Sequence, residues 1–155
     1  MIVIIIICIV LSALFSSSET AFASVNKIRL KSMADQGDKR ALKALHIAEH
    51  YEDSLTAILV GNNIVNIGAS SLATVVFTQW VGSAGPAVST VAMTILVLIF
   101  GEVLPKSYAK SHAEKMALSV ASALSVFTII MTPFVKIFDL LSVSYTHLRA
   151  HETSL

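Results

Sequence analysis

The run AVSTVAMTILVLIF, Ala87–Phe100, passes directly into GEVLPK, Gly101–Lys106, and the fold turns on how that junction is read. The first part carries no charge; Glu102 and Pro105 then arrive before the polarity rises. A carboxylate near a bilayer centre costs about 2.5–3.5 kcal/mol on insertion scales, so an acid kept there faces a partner, a cavity or an ion. Pro105 has no N–H to give the carbonyl four residues earlier. In a helix that carbonyl belongs to Gly101, next to Glu102. The stretch therefore predicts a membrane helix with Pro105 as its kink, presenting two hard oxygen donors together: the Glu102 carboxylate and the Gly101 C=O.

The rest of the chain supports a membrane setting. Of its 155 residues 55% are hydrophobic and only 14% charged, and mean hydropathy is +0.77. A soluble domain carries about 25% charged residues. The net charge of +1 gives no electrostatic case for nucleic acid. The single Cys8 cannot form an intrachain disulfide, and there is no Gly-rich phosphate loop.

Working outward, the connector Val81–Pro86 is short and uncharged, and Trp80 before it suits an interface. It separates the third apolar block, 87–105, from a second at about Ser54–Trp80. The first block is 1–25. Ala21-Phe22-Ala23 has the form of a signal-peptidase site, but no Lys or Arg precedes the apolar core, while Lys27, Arg29 and Lys31 follow it. That asymmetry argues for a membrane helix with its N-terminus outside, and places the basic stretch 26–53 in the cytoplasm. Within that stretch Gly37-Asp38 predicts a break between two short helices, with Asp38 as N-cap. The 116–141 block is long enough to span, and charge does not decide whether it crosses or lies along the inner face. The polar end, 143–155, breaks the pattern and reads as a truncated or non-native tail, leaving 1–142 as one membrane domain. The expected class is all-α: three transmembrane helices, a cytoplasmic helical hairpin between the first and second, and a fourth amphipathic, juxtamembrane helix.

Polar residues interrupt each of the three spans: Ser16-Ser17-Ser18-Glu19, Gly61-Asn62-Asn63 with Asn66, and Gly101-Glu102. At 1.5 Å rise per residue, Ser16 and Glu102 lie about 21 and 22 Å below the outer face. Asn62 and Asn66 lie about 18 and 12 Å below it. All three groups fall in the middle-to-inner bilayer and can converge. Asn62 and Asn66, four apart, share a helix face. The donors are carboxylate, amide oxygen, hydroxyl and carbonyl, a set for Mg²⁺, Ca²⁺ or Na⁺ rather than zinc or copper. Small polar residues such as the serines also serve close helix packing, and Glu19 could snorkel to the interface. His46 and His50 lie on the polar hairpin and read as surface histidines.

With these motifs in view, the sequence resembles the membrane domain of the CNNM/CorC family of magnesium transporters. The matching stretches are Phe15–Ala21, FSSSETA; Gly61–Asn66, GNNIVN; and Gly101–Lys106, GEVLPK. Ser17 stands where many members have Gly. The resemblance covers about residues 5–142. It implies a homodimer in the plasma membrane that exports Mg²⁺ in exchange for Na⁺, with a fourth helix belting the inner face. The implied ligands are Ser16, Asn62 or Asn63, Asn66, the Gly101 carbonyl and Glu102, with Ser17, Ser18 and Glu19 as candidates for Na⁺ or for supporting contacts. Family members usually continue into nucleotide-binding CBS modules, and this sequence stops before them. The same site would also serve a non-transporting module that senses Mg²⁺. No serine in the spans has a His, Lys or Asp partner, so the expectation is not an enzyme.

Overall fold

The computed structural model describes residues 1–152, and the side chains of all of these except 135 and 138–152. Its order is α1 (Ile2–Ser24), α2 (Lys27–Asp35), α3 (Lys39–Glu49), α4 (Tyr51–Val81), a 3₁₀ turn at Gly82–Ala84, α5 (Gly85–Leu96), a π-helical segment (Val97–Val103), α6 (Leu104–Ser111) and α7 (Ala113–Glu152). There is no strand among the described residues.

Among the described residues three helical runs are long and apolar enough to cross a membrane: Ile2–Ser24, Tyr51–Ser111 and Ala113–Phe134. The second is really two crossings, because it folds back at residues 82–84. Gly82 sits at φ 65°, a left-handed conformation that only glycine adopts cheaply. Thr74 Oγ1 then lies 3.3 Å from Ser89 Oγ, and a Cβ added to Gly85 would run into the backbone of Thr78. Residues 74 with 89 and 78 with 85 define an antiparallel hairpin. The helix α1 runs antiparallel to α4 and parallel to the π segment and α6. Ser12 Oγ donates to Asn62 Oδ1 at 2.8 Å, and Ser17 Oγ donates to the Pro105 carbonyl at 3.4 Å.

The basic stretch forms the expected hairpin. Gly37 has φ 94°, and the Asp38 carboxylate accepts from Arg40 N–H at 2.8 Å and Ala41 N–H at 3.3 Å, capping α3. Asn26 caps α2 in the same way, accepting from Ile28 and Arg29. Leu30, Ala44, Ile47 and Ala48 face inward, against Ala21 and Phe22 of α1 and Ala117, Ala121 and Leu124 of α7. Arg29 pairs with Glu114 at 3.2 Å across this end.

The helix α7 packs against α1, α3 and α4 at the basic end. Its buried positions Ala117, Ala121, Leu124 and Met131 fall on one face at helical spacing. Its partners on α4 include Tyr51, Ala57, Ile58 and Val60, at the basic end of that helix. By length and apolarity Ala113–Phe134 is also long enough to cross a membrane. Its first half is amphipathic; beyond residue 125 the exposed face is also apolar, with Val126, Ile129, Ile130 and Phe134 all more than half exposed.

Candidate cation site

The three polar groups converge on the junction of α1, α4 and the π segment. At its centre is a residue that the depth estimate passed over, Ser12. It is 0% exposed, donates to Asn62, and its Oγ would stand 2.9 Å from a Cβ on Gly101. Gly101 is thus a point of close approach: a methyl there would make the Ser12 hydroxyl shift. Its register with Ser16, four residues on and on the same face, was the available signal.

The two asparagines on the shared face behave as a pair. Asn62 Oδ1 accepts from Ser12 and also from Asn66 Nδ2 at 3.4 Å. Asn66 Oδ1 is buried and has no hydrogen-bond partner among the described residues. Asn66 and Glu102 line one cavity of about 330 Å³ between α4 and α5, whose walls continue toward the Trp80 end through Ser70, Thr74, Ser89 and Thr94. Among the described residues no hydrogen bond or ion pair engages the Glu102 carboxylate. Asn63, one residue from Asn62 and so about 100° around the helix, is exposed and off this face.

The serines divide. Ser16 is fully buried and its Oγ has no partner among the described residues. Ser18 is spent on the Leu14 carbonyl at 2.7 Å, and Ser17 reaches the Pro105 carbonyl. Glu19 forms an ion pair with Lys106 Nζ at 3.3 Å, tying the ends of α1 and α6, and Tyr51 Oη donates to the Glu19 carbonyl at 3.2 Å.

Pro105 lies just past a change of helical register. The π segment spaces its hydrogen bonds five residues apart, and the bond that closes it runs from Leu104 N–H to Ile99 C=O. Pro105 comes next and has no N–H. At five-residue spacing it would have served Phe100; at four-residue spacing, Gly101. The register change falls where the missing donor would otherwise break the ladder, and π segments are frequent at functional sites.

Elsewhere, the His46 and His50 rings lie tilted against each other, centroids 4.5 Å apart, beside a cavity of about 340 Å³ under α7. Among the described residues no three His, Cys, Asp or Glu side chains gather as a metal-binding group. A hard-cation site here would therefore have to draw on amide, hydroxyl and carbonyl oxygens around a single carboxylate; Asn66 and Glu102, which line one cavity, offer an amide oxygen and that carboxylate.

The family model described as "Cyclin M transmembrane N-terminal domain" (CNNM) matches residues 3–153. A UPF0053 protein of Haemophilus influenzae is 42% identical over 142 residues, which are 92% of this chain and 34% of that protein. The UPF0053 inner membrane protein YfjD of Escherichia coli is 39% identical over 129 residues, covering 83% of this chain and 30% of that protein. A protein of Haemophilus influenzae named polyamine export protein is 29% identical over 141 residues, covering 83% and 33% respectively. The chain spans about a third of the length of these relatives. Motifs, helix order and family match agree: the chain belongs to the cyclin M (CNNM) transmembrane N-terminal domain family.

Proposed function

We propose that this domain is the membrane part of a Na⁺-coupled Mg²⁺ exporter, with Mg²⁺ as its transported substrate. One observation carries the reading. Glu102 and Asn66 line the same cavity between two membrane helices, and the buried Asn66 Oδ1 has no hydrogen-bond partner among the described residues. In that setting Glu102 supplies the formal charge, and Asn66, Asn62, Ser16 and the Gly101 carbonyl supply neutral oxygens that replace water around a small hard ion. Mg²⁺ gives up water reluctantly, so several placed oxygens are needed. The basic hairpin after α1 supports an orientation with the N-terminus outside and α2–α3 in the cytoplasm. Homodimer formation and Na⁺ coupling come from the resemblance. A Na⁺ role for Glu19 would require it to leave Lys106, and Ser18 would have to leave the Leu14 carbonyl.

The test is flux. Full-length protein in proteoliposomes is expected to move Mg²⁺ against a Na⁺ gradient, and Glu102→Gln is expected to abolish the movement. Retained Na⁺-dependent flux in Glu102→Gln overturns the reading. Mg²⁺ binding with no flux in the wild type favours the sensing module instead. The polyamine export relative suggests a second substrate, favoured by the acceptor-lined groove that runs from Asn66 and Glu102 past Ser70 and Thr74. A polyamine carries several ammonium groups along a chain, and one carboxylate matches only one of them. The point cation fits better, and competition of Mg²⁺ flux by a linear polyamine separates the two.

A further inference from the structure

We propose that the Ser12 hydroxyl is a rotating latch that masks the Asn62 oxygen, which makes Ser12 a positioning residue that sets how tightly the cation is held. This rests on the cation-site reading above. Both lone pairs of Asn62 Oδ1 are engaged, one by Ser12 Oγ–H at 2.8 Å and one by Asn66 Nδ2–H at 3.4 Å. An amide oxygen in that condition cannot coordinate a cation until one donor lets go. Its neighbours differ: Asn66 Oδ1 and Ser16 Oγ are buried with no partner among the described residues, and need release nothing.

Ser12 has somewhere else to put its proton. A helical serine can donate to the carbonyl four residues back, as Ser18 does to Leu14 at 2.7 Å and Thr94 does to Thr90 at 2.7 Å. For Ser12 that carbonyl belongs to Cys8. Rotation about one side-chain bond moves the donation from Asn62 to Cys8, exchanging one neutral hydrogen bond for another in the same buried surroundings. Asn62 then keeps Asn66 as its donor and turns a free lone pair to the ion. The exchange stays local because Ser12 is fully buried and packed against Gly101. Ser12 thus links the state of the α4 ligand to the π segment through a single side chain.

The prediction has a sign that neither a ligand nor a packing role would give. In full-length protein titrated calorimetrically with Mg²⁺, Ser12→Ala is expected to lower Kd by about two- to tenfold, the range set by one net neutral hydrogen bond. Ser12→Cys keeps the shape with a weaker donor, and its Kd is expected between those of wild type and Ser12→Ala; it carries the test if the alanine variant does not fold. A Kd unchanged in both variants assigns Ser12 to packing, and a raised Kd makes it a ligand; either result overturns the latch while leaving the cation site standing. A wild type whose Mg²⁺ binding is absent, or unaffected by Glu102→Gln, overturns the site and the latch with it.

Discussion

The two ends of this bundle are held together by different physics. At the basic end, α2, α3 and α7 close over the tip of α1 with an ordinary apolar core of Leu30, Ile47, Ile58, Phe22 and buried alanines. Water lies beyond that end, so burying apolar surface is favourable there. In the middle of the bundle, α1, α4 and the π segment meet instead through Ser12, Asn62, Gly101 and Gly61. Lipid is as apolar as leucine, so nothing is gained by hiding side chains from it; close approach and hydrogen bonds do the work. The contrast shows which polar groups are structural. Ser12, Ser17 and Ser18 each have a partner, as does Asn62. Among the described residues Ser16 Oγ, Asn66 Oδ1 and the Glu102 carboxylate are left over, and the cation reading uses them together with Asn62 and the Gly101 carbonyl.

Substitutions at the two ends should break apart along the same line. The largest effect is expected at the basic end. Leu30 is 0% exposed, and Leu30→Ala should cost about 2–5 kcal/mol, lowering the thermal unfolding midpoint in detergent while leaving Mg²⁺ affinity unchanged. A loss of Mg²⁺ binding in the folded variant would mean that the two ends are coupled. Next is Gly85→Ala at the α4–α5 turn, where the new methyl meets the Thr78 backbone rather than a flexible side-chain tip. Overpacking of this kind costs about 1–3 kcal/mol, and the same unfolding measurement reads it. A neutral result would show that α4 and α5 separate easily at that end. The smallest is Lys106→Met. The Glu19–Lys106 pair is partly exposed, so its loss should cost about 1 kcal/mol or less, and the difference from wild type should shrink as NaCl is raised. A deficit that persists in high salt would place the pair in a drier setting than its exposure indicates.

Much of this architecture is legible from composition alone. The apolar blocks, the charge asymmetry after α1, the Gly37 break and the Asp38 cap follow from local chemistry, and the structure repeats them. Facing residues are harder to read. Depth arithmetic put Ser16 near the asparagines, but it assigns a level and not a face, so it missed Ser12, the serine that reaches Asn62. The same arithmetic could not tell Asn62 from its exposed neighbour Asn63. The π segment leaves no periodic mark in VLIFGEV, because a run that is apolar nearly all round looks the same at four- and five-residue spacing. The pairing of Glu19 with Lys106 depends on the register of α1 against α6, which neither helix encodes by itself. The path of α7 is open for a similar reason: its length and apolarity suit a span, and its charge does not decide between crossing and lying along the inner face.

The central claim is that Asn66 and Glu102 hold one cation between them. A double-mutant cycle in Mg²⁺ affinity tests this most directly, using wild type, Glu102→Gln, Asn66→Ala and the double variant, all full length and titrated calorimetrically. Two ligands of one ion should each weaken binding at least about tenfold when removed, and the double variant should lose less than the sum of the two. Wild-type affinity in either single variant would contradict the account.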